Sequence, residues 1–391
     1  MMTRTFNFID FLKIAVIEVA IFFLIMVFFN IESVWTLVAG LILVVAVVVY
    51  AKVWKRQFSS FAEIFSSNKP AVLGVLLVLL LLYPLVGPLM IKQNTYWLLT
   101  LIQTGIYIIL ALGLNIQLGS TGVLNLAVAA FYGIGGYTAG LLALRLGIPT
   151  IITLPMGGIV AALFGTILYV PLYKTKGHYM ALVTLAFGLM IVLALDNTEF
   201  TGGPQGLKAI PEISLLGYSF LTKPGGLHFY TNYYYLTLFI VLLAVIISYR
   251  FYNSWVGLTL ATTRDDEIAA KCCGVNSNIW KGISFITGNV MIGVAGALYA
   301  HMIGFISPHN FSFAESLLIV AMVILGGLDN ILGIIVGTVI LWILPEKMRV
   351  ITEYRIFIYG ILLLVIPMFR PRGLLPFKPR KYHPSVVKVK D

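Results

Sequence analysis

Apolar runs of roughly 20 residues recur along this chain, each long enough to cross the ~30 Å hydrocarbon core of a bilayer as a helix. They fall near 12–30, 34–53, 71–91, 96–116, 123–144, 149–172, 178–195, 233–252, 282–303 and 354–370. In lipid a segment must satisfy its own backbone N–H and C=O groups, so runs of this length predict helices rather than open strands. Composition points the same way. The chain is 60% hydrophobic and 10% charged, whereas a soluble domain carries about 25% charged residues. So much apolar surface has no soluble core to hide in, and lipid is the solvent that fits it. The expected class is all-α: a polytopic membrane protein of about ten transmembrane helices.

One stretch, 316–344, breaks the pattern. It is too long for one comfortable span and too short for two, and its middle reads Gly326-Gly327-Leu328-Asp329-Asn330, then Gly333. Irregular backbone at membrane depth is tolerated where protein or a water-filled cavity surrounds it. Two half-helices meeting at a break, with both ends on one side, form the expected re-entrant element. Charge supports this arrangement. Cytoplasmic loops are enriched in Lys and Arg. Arg4 and Lys13 place the amino terminus inside, and Lys52, Lys55 and Arg56, then Lys174 and Lys176, then Arg250 to Lys281, follow inside. A re-entrant 316–344 also returns the basic tail after Arg370 to the inside, at the cost of leaving Lys347 and Arg349 outside. The organisation expected is an amino-terminal pair of spans and linker over 1–70, a Gly-rich body over 71–375 and a basic cytoplasmic tail over 376–391.

The net charge of +11 follows from this topology and is no sign of a nucleic-acid partner. The adjacent Cys272 and Cys273 build no disulfide framework, and the five scattered histidines suggest no metal site. No cofactor is implied. The first apolar run reaches Asn30 without a convincing cleavage site, so it reads as an uncleaved span. No GxxxxGK[ST] sequence occurs, so any ATP that drives this protein is bound by another polypeptide. Intramembrane acids are few: Glu18, Glu315 and Asp329. Proton-coupled carriers usually show more such groups in series.

Between Gln93 and Leu144 there is no charged residue, yet glycine and amides recur. Gly136 and Gly140 form a small-xxx-small pair that lets helix backbones approach closely. Gly119 and Gly122 bound a small-residue break between Asn115 and Asn125. Buried amides require partners, so these asparagines either line a pathway for a polar solute or bond across helices. Further on, Thr201-Gly202-Gly203-Pro204-Gln205-Gly206 has the composition of an ordered tight turn, and Gly202 and Gly203 join Asn115, Gly119, Gly122 and Asn125 as candidate residues of the substrate pathway. The segment Arg264-Asp265-Asp266-Glu267-Ile268-Ala269-Ala270-Lys271 to Gly274 predicts a short cytoplasmic helix. Acids open it, where the helix dipole favours them. Lys271 follows Glu267 by four residues, a spacing suited to an ion pair, and Gly274 suits the carboxy-terminal cap. Ala269 and Ala270 keep one face narrow, so that a partner's cleft could close around it.

These phrases, taken jointly and in order, resemble the LivM-type permease subunits of branched-chain amino-acid ABC importers. The resemblance covers Tyr96 to Leu375. It rests on Gly113-Leu114-Asn115 with the Gly-rich run after it, Gly177-His178-Tyr179-Met180-Ala181-Leu182-Val183-Thr184-Leu185, and Asn197-Thr198-Glu199-Phe200-Thr201-Gly202-Gly203-Pro204-Gln205-Gly206. Arg264-Asp265-Asp266-Glu267-Ile268-Ala269, Gly296-Ala297-Leu298-Tyr299, Ile306-Ser307-Pro308 and Arg370-Pro371-Arg372-Gly373-Leu374-Leu375 complete it. It implies a bacterial inner-membrane protein that pairs with a second permease, two cytosolic ATPases and an extracytoplasmic solute-binding protein. It further implies that 264–274 is the ATPase-coupling helix, similar to the EAA loop of ABC importers, here as Glu-Ile-Ala-Ala-x-x-x-Gly. Pro204, which the related urea permeases lack, makes the resemblance imply amino acids or small amides rather than urea. Asp329 and Asn330 stand where related proteins tend to carry small residues, and His178 stands in place of an acid. The rival readings are a stand-alone secondary carrier or channel, a permease for urea or short amides, and a membrane-embedded enzyme, for which no catalytic constellation appears.

Overall fold

A computed structural model describes residues 69–91, 94–175, 178–215, 218–220, 230–347 and 373–375, with isolated positions between 15 and 26 and at 368. The expected spans at 34–53 and 354–370, most of the one at 12–30, and the tail over 376–391 lie outside the described residues.

The chain forms α1 (Lys69–Met90), α2 (Asn94–Thr121), α3 (Val128–Leu146), α4 (Thr150–Leu172) and α5 (His178–Asn197). Two 3-10 turns follow, at Glu199–Thr201 and Gly203–Gln205, then a pair of two-residue strands, β1 (Ser214–Leu215) and β2 (Tyr218–Ser219). Next come α6 (Thr231–Asn253), α7 (Trp255–Asp265), α8 (Glu267–Cys272), α9 (Ser277–Ile303), a 3-10 turn at Pro308–Phe311, α10 (Phe313–Gly326) and α11 (Ile331–Lys347). The all-helical class therefore holds, the two-residue strands apart. Among the described residues six helices are long and apolar enough to cross a membrane: α2, α4, α5, α6, α9 and the stretch Pro308–Gly326 containing α10. Two shorter apolar helices, Gly74–Pro88 and Ile331–Glu346, accompany them.

The chain divides into two compact units. One comprises Met1–Gln103, Tyr218–Leu238 and Ile343–Ile356. Within it, Tyr234 donates to the Leu80 carbonyl at 2.9 Å and Tyr235 to the Leu81 carbonyl at 3.1 Å, which ties the start of α6 to α1. The other comprises Thr104–Gly217, Phe239–Trp342 and Phe357–Asp391, and the candidate site lies wholly inside it.

In this second unit, α9 packs on α3 and α4 through glycine. A Cβ built on Gly135 of α3 would sit 2.1 Å from the Gly293 carbonyl oxygen of α9, and one on Gly293 would sit 2.6 Å from the Gly157 carbonyl oxygen of α4. Three backbones therefore meet at Gly293 with only the Ala161 methyl of α4 beside them, which is the close approach that small residues permit in lipid. Gly136 packs similarly against Gly296, while Gly140 lies beside Ile210 and Leu207. The helix expected at 123–144 starts later, at Val128. The reason is local: Gly122 takes a positive φ of 72°, and 122–127 runs as irregular backbone, with side chains meeting two of its N–H groups and one in the first turn of α3. Leu126 donates to Thr184 Oγ1 at 3.0 Å, Ala127 to Asn125 Oδ1 at 2.9 Å and Ala129 to Ser316 Oγ at 2.9 Å. Most of α3 is buried, and its glycines, tyrosines and Arg145 leave it too polar to count among the six spans.

The anomalous stretch resolves as a helical hairpin. α10 ends at Gly326, the backbone turns through 327–330, and α11 folds back along α10. A Cβ on Gly333 would lie 2.3 Å from the Gly326 carbonyl oxygen, and one on Gly337 would lie 2.8 Å from the Met322 carbonyl oxygen. At 1.5 Å rise per residue the described arms are about 21 Å and about 25 Å long.

Candidate functional site at the hairpin tip and the α7–α8 segment

The end of α2, the tip of the hairpin and the α7–α8 segment converge. Asn115 and Gly119 are four residues apart on α2 and so share one face. The Asp329 backbone N–H donates to Asn115 Oδ1 at 3.1 Å. Asn115 Nδ2 donates to the Tyr252 hydroxyl at 2.6 Å, and that hydroxyl donates to the Asn115 carbonyl at 2.9 Å. Arg264, in the last turn of α7, pairs with Asp329 Oδ2 at 2.5 Å and also donates to the Gly119 carbonyl. That carbonyl belongs to the last turn of α2, where intrahelical donors run out, so the guanidinium satisfies an oxygen the helix leaves open. Gly119 is required by this contact, because a Cβ there would lie 2.5 Å from Asp329 Oδ1 and 2.6 Å from Asn115 Oδ1. Asp329 is held at φ 64°, a left-handed conformation that Asp adopts more readily than most residues. Its Oδ1 is buried without a hydrogen-bond partner among the described residues.

A strap closes the other side of the tip. The Leu374 N–H donates to the Leu325 carbonyl at 2.8 Å and the Leu375 N–H to the Gly326 carbonyl at 3.3 Å, while Asn330 Nδ2 donates to the Leu375 carbonyl at 2.8 Å. The open carbonyls at the end of α10 are thereby paired by a segment nearly fifty residues downstream.

The 264–274 segment is two helices rather than the single one expected. Arg264 and Asp265 end α7, and Asp266 (φ −152°, ψ 105°) breaks the helix and caps α8, accepting from Ile268 N at 2.9 Å and Ala269 N at 3.0 Å. An Asp at this position supplies the acceptor that first-turn N–H groups lack. The predicted Glu267–Lys271 pair is present at 3.0 Å, and Glu267 also holds Lys281 of α9 at 2.8 Å. The bonds to Lys281 and then Lys271 push the Glu267 carboxyl down to about 2. Gly274 closes α8 as predicted. Its N–H bonds the Lys271 carbonyl and the Val275 N–H bonds the Ala270 carbonyl, the paired arrangement of a Schellman cap. The two alanines part company: Ala270 is only 4% exposed and packs inward, while Ala269 is exposed and Ile268 is 77% exposed. The outward face of α8 is thus Ile268 and Ala269. A substitution at Ala270 would disturb the chain's own packing first.

Comparison with known proteins decides the family. Residues 96–367 match the model of the branched-chain amino acid transport system / permease component family. The chain belongs to this family of permeases. Among curated relatives, the high-affinity branched-chain amino acid transport system permease protein LivM of Escherichia coli is 34% identical over 357 residues, covering 85% of this chain and 84% of the relative. The probable branched-chain amino acid transport permease protein LivM of Methanocaldococcus jannaschii is 24% identical, covering 74% of this chain and 96% of the relative. The high-affinity permease LivH of Escherichia coli is 24% identical, covering 69% and 91%. No solved structure matches the chain.

In this permease the candidate pathway residues fall into three places, apart from the α7–α8 segment. Asn115, Gly119 and Arg264 meet at Asp329, and Gly122 lies beside them, 3.8 Å from the Arg264 side chain when its absent Cβ is built. Asn125 is fully buried and spent on local structure, donating to Gln117 Oε1 at 2.8 Å as well as capping Ala127. Gly202 and Gly203 are at the far end of α5. Gly202 takes φ 84° and packs so closely that a Cβ would lie 2.3 Å from the Gly206 carbonyl oxygen. The loop they shape is pinned by an antiparallel bridge between Leu207 and Ile306, at 2.9 and 3.1 Å. Asp329 and Tyr252 were not singled out as partners of this site. The positive φ of Asp329 follows from the turn its Gly-Gly-Leu-Asp-Asn sequence must make, but nothing local in the chain pairs it with Arg264.

Proposed function

We propose that this permease is a membrane subunit of an ABC importer and carries leucine, isoleucine and valine across the bacterial inner membrane, with ATP hydrolysed on partner subunits. The observation that carries this reading is α8: a helix capped at both ends, braced to α9 by the Glu267–Lys281 pair, presenting Ile268 and Ala269 outward. A rigid helix offered in this way can be gripped by a partner and can pass its motion to α7 and α9. The relatives named for branched-chain amino-acid transport supply the substrate class. The relatedness of LivM and LivH to one chain supports a pair of homologous permeases, completed by two cytosolic ATPases and an extracytoplasmic solute-binding protein.

In this reading the body over 71–375 is the permease domain, preceded by two spans over 1–70 and followed by a cytoplasmic tail. The chain crosses the membrane about ten times, and the α10–α11 hairpin enters from outside and returns there, with its tip reaching the α8 end. The solute leaves beside the Asn115–Gly122 face of α2, past the hairpin tip. Asn125, Gly202 and Gly203 act through the backbone they hold. Leucine uptake into vesicles holding the assembled complex tests the whole. It should need ATP inside and binding protein outside, and uptake by this chain alone without ATP would replace the reading with that of a carrier.

A further inference from the structure

Arg264 is the only residue of the α7–α8 segment whose side chain is recorded bonding both α2 and the hairpin tip among the described residues. It is half-exposed, with 35% of its side chain accessible, and Asp329 retains 16%. The pair therefore sits at the rim of the unit, partly open to its surroundings. Its acceptors have different origins: Gly119 closes a long, mostly buried helix, whereas Asp329 crowns a turn between two short ones. One side chain thus fastens the hairpin tip to the end of α2, and that side chain is carried on the element that flanks α8.

The tip bears marks of a state held from outside. Asp329 sits in the left-handed region, its Oδ1 is buried without a partner, and Gly119 is bare so that the carboxylate can come in. A buried carboxylate oxygen without a partner is costly, so contacts with neighbouring elements hold it there. The imposing contacts are few: Asn115 on the Asp329 N–H, Arg264 on the carboxylate, and the 373–375 strap behind.

We propose that the Arg264–Asp329 pair is the bolt of the cytoplasmic gate. Closed, it holds the hairpin tip against Asn115 and Gly119. When α8 is moved by its partner, α7 draws the guanidinium off both acceptors and the tip is released. Asp329 is a positioning residue: it links the coupling segment to the pathway and touches no ATP. This rests on the reading of 264–274 as the segment an ATPase grips.

The test uses the assembled importer in lipid vesicles, with ATP hydrolysis and leucine uptake measured per complex. Asp329→Asn keeps the size and removes the charge. It should raise hydrolysis in the absence of binding protein by at least about fivefold, the low end of usual coupling strengths, and lower leucine carried per ATP. Arg264→Gln should do the same. The double variant should be no worse than either single, since both remove one interaction. Ile268→Asp separates the two readings. If it leaves hydrolysis and uptake as in the parent, the coupling segment itself is misassigned. If it uncouples the importer while Asp329→Asn keeps the parental leucine-to-ATP ratio and basal rate, the bolt alone is overturned. A drop in assembled complex with that ratio unchanged gives Asp329 a merely structural part and overturns it equally.

Discussion

Substituting alanine at Gly135 and at Gly74 should change stability in opposite directions. Both glycines lie inside helices, and propensity alone favours alanine in a helix by about 0.8–1.0 kcal/mol. At Gly74 of α1 nothing lies within 4 Å of the added Cβ, so that gain is expected nearly whole. At Gly135 the Cβ would lie 2.1 Å from the Gly293 carbonyl oxygen and 2.6 Å from its Cα. Ordinary contact between carbons is about 3.5–4.0 Å, and both obstacles are backbone, so α3 and α9 must part by roughly 1 Å or more. Forcing a methyl into a packed interior costs typically ~1–3 kcal/mol, which exceeds the propensity gain. α9 also meets α4 at Gly293, so separating one pair disturbs the other. Melting of the purified, detergent-solubilised protein, followed by tryptophan fluorescence, should therefore show Gly135→Ala clearly below the parent and Gly74→Ala at or above it. Equal or higher stability for Gly135→Ala would refute glycine-mediated contact between α3 and α9.

Ile268→Asp and Ala269→Asp should abolish partner-stimulated ATP hydrolysis while leaving membrane insertion and melting close to parental, because substitutions at exposed sites usually move stability by under about 0.5 kcal/mol; co-purification with the ATPases measures the loss. Glu267 should titrate near about 2, below the ordinary carboxylate value of about 4.3. Its folded-state value is depressed, so its contribution to holding α8 on α9 is full above the ordinary value and is lost as pH falls toward 2; NMR titration of labelled carboxyls reads this, and Lys281→Met should move the midpoint up. Cys272 and Cys273 are both free and exposed, and should react with an impermeant thiol reagent in inside-out vesicles but not in intact cells, as should a cysteine added beyond Arg372.

The sequence revealed elements whose causes are local. The apolar runs became helices, and the Gly-Gly-Leu-Asp-Asn phrase became the turn of a hairpin. Glu267, Lys271 and Gly274 took up the pair and the cap that their spacing predicts. What was hidden depends on distant partners. Asp329 meets Arg264 across 65 positions, and Gln117 meets Asn289 across 172. An amide's type says that it needs a bond, not where the bond will be. Hence Asn115 and Asn125 look alike in sequence yet divide here, one holding the hairpin tip and the other the start of α3. Ala269 and Ala270 divide for a related reason, since only the packing of α8 on its neighbours decides which methyl turns inward.

The strap formed by 373–375 has a consequence for how the protein is made. The carbonyls of Leu325 and Gly326 find their partners in Leu374 and Leu375, residues the ribosome adds much later. Until they arrive, the end of α10 carries two open acceptors, each costly to leave unmet away from water. The hairpin can therefore insert early but can settle only after residues 373–375 have been delivered. A nascent chain stopped before Gly373 would present the cell with an unfinished tip, open to surveillance proteases, whereas one stopped just after Leu375 would not. Pulse-chase comparison of those two truncations should show the shorter one turned over faster, and the maturation of the hairpin would then wait on the synthesis of the strap.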